Sequence, residues 1–295
     1  MNYYLRNIFV AFVLIFSFIV PQAQTTDTVS HKTFMVGDII ITGNLRTKTS
    51  IIRRELNFKK GDTIKVADWP AIALRSKNNL MNTSLFNFVT IDTVHVNTGQ
   101  TFVTIDVVEQ WYIFPIPIFQ VEERNFNTWW VQDHRSLGRA DYGFYLADNN
   151  FRGRKEVLKL KAQFGYTQQF GFSYNIPYID KKQNGGLQFY FTYSANHEIP
   201  YTSVNNTLVY LKTPNTILKQ DYAGAVDYTY RQGLYNMHYA EVDFFSSKIE
   251  DTIRKLTTNY LPGNQLLANF LELKYFFRRD MRDYSPYPLK GYYFR

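Results

Sequence analysis

The chain has 295 residues, a net charge of +8 and no cysteine. Without cysteine there is no disulfide scaffold, no thiolate metal site and no lipid-modified cysteine anchor. The positive charge is spread along the chain, with no basic helix and no aromatic-basic RNA-binding motif, so nucleic acid is not an expected partner.

The first residues read as an export signal. Arg6 gives a positive start, Ile8–Val20 is apolar apart from Ser17, and Pro21-Gln22-Ala23-Gln24 follows. That layout is a secretory signal peptide, residues 1–23, cleaved after Ala23. The apolar run is short for a membrane anchor helix. No later segment approaches ~18 consecutive apolar residues, so any later membrane span must be built from strands. A mean hydropathy of −0.30 fits strands that keep one face in water.

Residues 34–109 predict a small α+β unit. Asp38–Thr42 is a short apolar strand ending at the turn signal Gly43-Asn44. Thr47 or Thr49 can cap a helix that carries Ile51, Ile52 and Leu56. Asp68 offers a second N-cap, with Pro70 in the first turn, where its missing N–H costs nothing. Ile72, Ala73, Leu80 and Met81 supply that helix with an apolar face. Two alternating strands follow, one with Val89 and Ile91, the other with Val103, Ile105 and Val107, joined through Asn97-Thr98-Gly99-Gln100. The order is β-α-α-β-β, with helices on one face of a three-stranded sheet.

That order, with ITGN then RT at 41–47, REL at 54–56, GD at 61–62 and NTSLF at 82–86, resembles a POTRA domain. POTRA domains are the periplasmic polypeptide-binding modules of the BamA/TamA outer-membrane assembly superfamily. The resemblance implies an exposed sheet edge near Asn87–Val96. Val89, Ile91 and Thr93 would lie on it, and an extended client strand could add there.

Residues 110–138 are a connector rich in aromatics and proline, with Trp111, Pro115, Pro117, Trp129 and Trp130. The prolines argue against a central strand. A short edge strand, a plug-like segment and an interface anchor all remain open.

From Arg139 to Phe277 apolar and polar residues alternate, and Tyr and Phe crowd the apolar side. In Glu156–Tyr166, Leu158, Leu160, Ala162, Phe164 and Tyr166 share one face, and Lys159, Lys161 and Gln163 the other. About eight such strands separated by turn signals predict an antiparallel transmembrane β-barrel, apolar toward lipid and polar toward the lumen. The first is Arg139–Leu146, with Tyr142, Phe144 and Leu146 outward. A long polar loop is expected over about His197–Leu218, and the eighth strand has barely begun at Gly291.

NNFRGR at 149–154, SYNIPYID at 173–180 and RRDMRDYSPYPLKG at 278–291 resemble the surface-antigen barrel of the same superfamily. In the last motif Arg279, Asp280, Arg282, Asp283, Pro288 and Gly291 are the marked positions, read as a charge-paired turn between strands. The resemblance implies that residues 139–295 are about the first half of a barrel, truncated within it. It also implies an outer-membrane location, with the N-terminal domain in the periplasm. The implied partners are unfolded outer-membrane protein clients, outer-membrane lipid and accessory lipoproteins. The implied function is insertion of barrel proteins or translocation of a polypeptide. Client strands would add at the POTRA edge and then at a barrel seam formed by strand 139–146. The alternative is a secretion pore or membrane anchor for a dedicated passenger or hydrolase.

No catalytic constellation accompanies these features. G-x-S-x-G, H-E-x-x-H and Gly-rich phosphate loops are missing, and the five histidines are scattered. His197-Glu198 reads as a solvated pair. The sequence is therefore expected to be no enzyme, with no catalytic, metal or cofactor-binding residues.

Overall fold

The computed structural model describes residues 32–95, 100–122, 126–132 and 134–295. The expected signal peptide and the turn at Asn97-Thr98-Gly99 lie outside them. The N-terminal unit runs β1 (Thr33–Thr42), α1 (Thr49–Arg54), β2 (Thr63–Lys65), α2 (Trp69–Asn82), β3 (Phe86–His95) and β4 (Gln100–Glu109). Its sheet has the order β2-β1-β4-β3. Strand β1 lies parallel to β4 and antiparallel to β2. The expected three-stranded sheet thus gains β2, whose three residues are too short to show an alternation.

This unit is organised as a water-soluble domain. Val36, Val103 and Ile105 from the sheet and Ile52 and Leu80 from the helices are all fully buried. Removing such side chains from water is the main term holding a domain this small together. The helix starts differ from expectation. Lys48 is the N-cap of α1, and Asp68 caps α2 by position without a side-chain hydrogen bond. Thr47 is buried and engaged elsewhere, as described below.

The second unit is one nine-stranded sheet, order β15-β14-β13-β12-β9-β8-β7-β6-β5. Its strands are β5 (Ile113–Val121), β6 (Ala140–Phe151), β7 (Glu156–Gly165), β8 (Thr167–Ile176), β9 (Gly185–Asn196), β12 (Lys219–Gln232), β13 (Asn236–Ile249), β14 (Leu267–Asp280) and β15 (Tyr293–Phe294). Strands β10 (Glu198–Val204) and β11 (Thr207–Lys212) form a separate hairpin where a polar loop was expected. There, Glu198 is buried and ion-paired to Arg139 and Lys212 instead of solvated beside His197.

Register converts the alternation into one continuous face. Leu146, Leu160, Phe172, Phe191, Gly224, Phe244 and Leu271 are successive cross-strand partners from β6 to β14. The next row is Leu158, Tyr174, Phe189, Val226, Val242 and Leu273. Leu271 and Leu273 are 69% and 73% exposed. The opposite face holds Lys159, Lys161, Asp227, Glu241, Asp243 and Lys274. A sheet with aromatic and aliphatic side chains outside and charge inside suits lipid on one face and water on the other.

Candidate functional site

All the short connections at one end of the large sheet meet the N-terminal domain. Lys48 N–H donates to the Gly153 carbonyl at 2.8 Å in the turn between β6 and β7. Arg54 reaches the Gln183 carbonyl at 3.3 Å and the Gly233 carbonyl at 2.8 Å, in the next two turns. Asn82 at the end of α2 accepts from Ser285 N–H at 2.8 Å and donates to the Asp283 carbonyl at 3.1 Å. Gly153 has φ +71°, and a Cβ there would stand 2.0 Å from the Arg46 carbonyl oxygen. Glycine is needed because the two backbones approach too closely for any side chain.

The centre of the junction is an ion cluster. Arg231, at the end of β12, grips Glu55 through two hydrogen bonds of 2.6 and 2.7 Å. Tyr178, from the turn between β8 and β9, donates to the same carboxylate at 3.2 Å. The Glu55 side chain is 3% exposed and that of Arg231 15%. Burial pushes the Glu55 carboxyl up, but the Arg231 hydrogen bonds and charge outweigh it and hold it below the usual carboxylate range. Lys155 stands nearby and is held below the ordinary lysine range, first by burial, with the guanidinium groups of Arg231, Arg278 and Arg54 adding to it against Glu55. Glu55, Lys155, Tyr178, Arg231 and Arg278, with Asp280 and Arg282, line a cavity of about 420 Å³ between the domain and the inner ends of the strands.

Two aromatic residues carry the coupling into the core. Tyr178 and Tyr112 both join the hydrophobic cluster of the N-terminal domain. Tyr112 immediately precedes β5. Its hydroxyl donates to the Leu85 carbonyl at 2.8 Å, beside the start of β3, and lies 3.2 Å from the Thr47 hydroxyl. Asn150 of the NNFRGR motif donates to the Thr47 hydroxyl at 2.9 Å, and Asp148 pairs with Arg46 at 2.5 Å. Burying these polar groups is tolerable only because each has a partner.

The structure places the sequence-derived residues as follows. Val89, Ile91 and Thr93 lie in β3, which is the open edge of the small sheet. Tyr142, Phe144 and Leu146 are not on an edge. β6 is paired with β5 on one side and β7 on the other, so the open edge is β5 and the expected first strand is the second. The 110–138 connector accordingly contains a barrel-sheet strand. Its pattern was hidden because β5 is apolar on both faces and its prolines read as strand breakers.

The RRDMRD turn is a charge-paired turn. Arg282 binds Asp280 at 2.9 and 2.7 Å. The Asp283 carboxylate accepts from the N–H groups of Tyr284, Leu289 and Lys290. The Arg279 guanidinium lies 5.8 Å from the centre of the Tyr292 ring. Gly291 has φ +96°, with the Met281 carbonyl oxygen 2.1 Å from where a Cβ would stand. Pro288 lies within the same turn. Glu55, Tyr178 and Arg231 were not singled out from sequence. Glu55 and Tyr178 sit inside REL and SYNIPYID, but nothing in a single sequence pairs positions so far apart. Among the described residues no group of His, Asp and Glu is placed to hold a metal ion.

Residues 34–110 match the POTRA family model, described as surface antigen variable number repeat. The structure of BamA from Haemophilus ducreyi lacking POTRA domains 1–3 is similar, with TM-score 0.50 and 14% identity, covering 88% of this chain and 46% of that one. CdiB from Acinetobacter baumannii gives TM-score 0.42 at 10% identity, covering 83% of this chain and 41% of that one. CdiB from Escherichia coli gives 0.35 at 8%, covering 88% and 57%. Among curated proteins none matches this sequence. The chain spans less than half the length of the BamA chain it resembles. It consists of a POTRA domain followed by a large antiparallel sheet with the fold of a partial BamA barrel.

Proposed function

We propose that this chain forms the periplasmic module and adjoining wall of an outer-membrane barrel that inserts or translocates unfolded polypeptides. The observation that carries the reading is the root shared by the two open strand edges. Tyr112, at the foot of β5, is hydrogen-bonded to Leu85, at the foot of β3, inside one hydrophobic core. A client strand added along β3 is therefore held beside the edge of the barrel sheet. Pairing at β3 uses main-chain groups and asks little of the client's sequence. Val89 and Ile91 hold that edge in place by packing into the domain core, with Thr93 next along the same face. Pairing at β5 then gives the client's backbone N–H groups carbonyl partners as it enters lipid. No bond is made or broken, and no catalytic residue is required.

On this reading the aromatic face meets outer-membrane lipid, the POTRA domain lies in the periplasm, and accessory lipoproteins are candidate partners. The boundaries that fit it are a POTRA domain over 34–109 and a barrel wall from Ile113 onward. Depleting the full-length protein tests the reading. Levels of several unrelated outer-membrane barrels are expected to fall together. Loss of one secreted or surface-anchored protein alone would instead identify a dedicated pore or anchor.

A further inference from the structure

The cavity beneath the POTRA domain carries more positive charge than its ion pairs use. Four cationic side chains line it, Lys155, Arg231, Arg278 and Arg282, against two carboxylates, Glu55 and Asp280. Glu55 is taken by Arg231 and Asp280 by Arg282, each through two hydrogen bonds. Among the described residues, Lys155 and Arg278 have no ion-pair partner. A cation withdrawn from bulk water is costly unless a negative group answers it.

Both spare cations are fixed in place. Lys155 follows the NNFRGR turn. Its backbone N–H donates to the Asn150 side-chain oxygen at 2.8 Å, with φ +60°, a conformation lysine rarely adopts. Arg278 opens the RRDMRD motif but takes no part in its charge-paired turn. Its guanidinium lies 5.3 Å from the centre of the Tyr239 ring, and one terminal nitrogen contacts the Met237 sulfur, a weak acceptor, at 2.6 Å. The Arg278 Nε is buried with no hydrogen-bond partner, and so is the Tyr235 hydroxyl on the same wall. The wall thus offers spare donors and spare positive charge together. Water can satisfy such donors but cancels no charge.

The spare charge bears on the junction itself. Arg54 of the domain stands close enough to Lys155 and Arg231 of the sheet for their charges to oppose one another. The cavity also opens on the charged face. Leu273, Tyr275 and Phe277 share the aromatic face of β14, so Arg278 turns to the other. A ligand therefore reaches it from water. The volume of about 420 Å³ falls within the ~300–1,000 Å³ of small-molecule sites.

We propose that this cavity binds a water-borne phosphate group, held by Lys155, Arg278 and the Tyr235 hydroxyl. A phosphate ester carries about −1.5 to −2 charges near neutral pH and so matches two spare cations, where a carboxylate carries one. The planar fork of arginine and the point charge of lysine both suit its oxygens. Occupancy offsets the repulsion between Arg54 and the sheet and tightens the seat of the domain. The site stands independently of whether the chain inserts clients.

The test titrates inorganic phosphate into the full-length protein in uncharged phosphatidylcholine vesicles, by calorimetry at constant ionic strength. Saturable one-to-one binding is expected, and no binding overturns the proposal. Lys155→Met and Arg278→Met should each weaken it by about tenfold or more. Lys159→Met removes a charge elsewhere on the same face and should leave it unchanged. An equal loss there would mean diffuse attraction and overturn the site. If the variants fail to fold, the unsubstituted protein decides. Phosphate is expected to slow acylation of the Lys155 amine by an amine-reactive ester, but not that of Lys159, and equal rates with and without phosphate at Lys155 refute the site. Vesicles containing phosphatidylglycerol identify the source. Phosphate binding should persist in them, and its loss would give the site to a lipid headgroup and overturn the water-borne ligand.

Discussion

Strand β4 of the POTRA domain and strand β14 of the barrel sheet share one pattern and have opposite fates. In β4 the alternating Val103, Ile105 and Val107 are at most 3% exposed. In β14 the alternating Leu271, Leu273 and Tyr275 are at least 67% exposed. A period of two says only that a strand has two unlike faces. Whether the apolar face turns inward or outward depends on the solvent, and the proposed function places two solvents on either side of one junction. The POTRA domain hides its apolar residues from water, while the sheet leaves its own exposed, on the face that the proposed function gives to lipid.

The largest effect is expected where the two regions join. Glu55→Ala leaves Arg231 buried without its carboxylate, at a cost of about 3–5 kcal/mol. Hydrogen exchange over α1 and the turn at 177–184 should rise together. Unchanged exchange would mean the two regions do not act as one body. Next comes the inward-facing strand. Ile105→Ala is expected to cost about 2–5 kcal/mol, because it removes a fully buried side chain. Loss of amide protection should stay within β1, β3 and β4 of the full-length protein.

The outward-facing strand should answer to a different rule. Leu273→Arg would cost little on a surface in water, but about 2–4 kcal/mol facing mid-bilayer. Denaturant titration of folding into vesicles measures it, and a near-zero effect would put that face in water. The smallest effect is a pH dependence in the turn after β14. Hydrogen bonds from the N–H groups of Tyr284 and Lys290 hold the Asp283 carboxyl below its ordinary value. A depressed carboxylate stabilises the fold above the unfolded value of ~3.9 and loses that contribution as pH falls through the folded value. Exchange of the amides of Tyr284, Leu289 and Lys290 should therefore accelerate, beyond the intrinsic pH trend, only in acid. In Asp283→Asn it should be fast throughout.

Much of this fold was legible because local patterns matched their final setting. The POTRA order followed from Gly43-Asn44, Pro70 and the alternation in β3 and β4. The sheet from β6 to β14 followed from its aromatic period of two. What was not legible has three physical causes. β2 pairs through three residues and leaves no periodic trace. β5 loses its alternation because Phe114, Ile116, Pro115 and Pro117 make both faces apolar, so the edge was assigned one strand too late, to Tyr142, Phe144 and Leu146. The Glu55–Arg231–Tyr178 cluster joins residues from distant parts of the chain, and its geometry exists only once both regions have folded. Thr47 shows the same limit: it looked like a helix cap and is a buried link to Tyr112 and Asn150.

The central claim is that the aromatic face meets lipid while the charged face does not. The most direct measurement places one fluorophore at a time on the full-length protein in vesicles, through Leu273→Cys or Lys159→Cys. The label at 273 should be quenched by a lipid-soluble quencher and spared by a water-soluble one, and the label at 159 should show the reverse. Quenching of both by the water-soluble reagent alone would contradict the account.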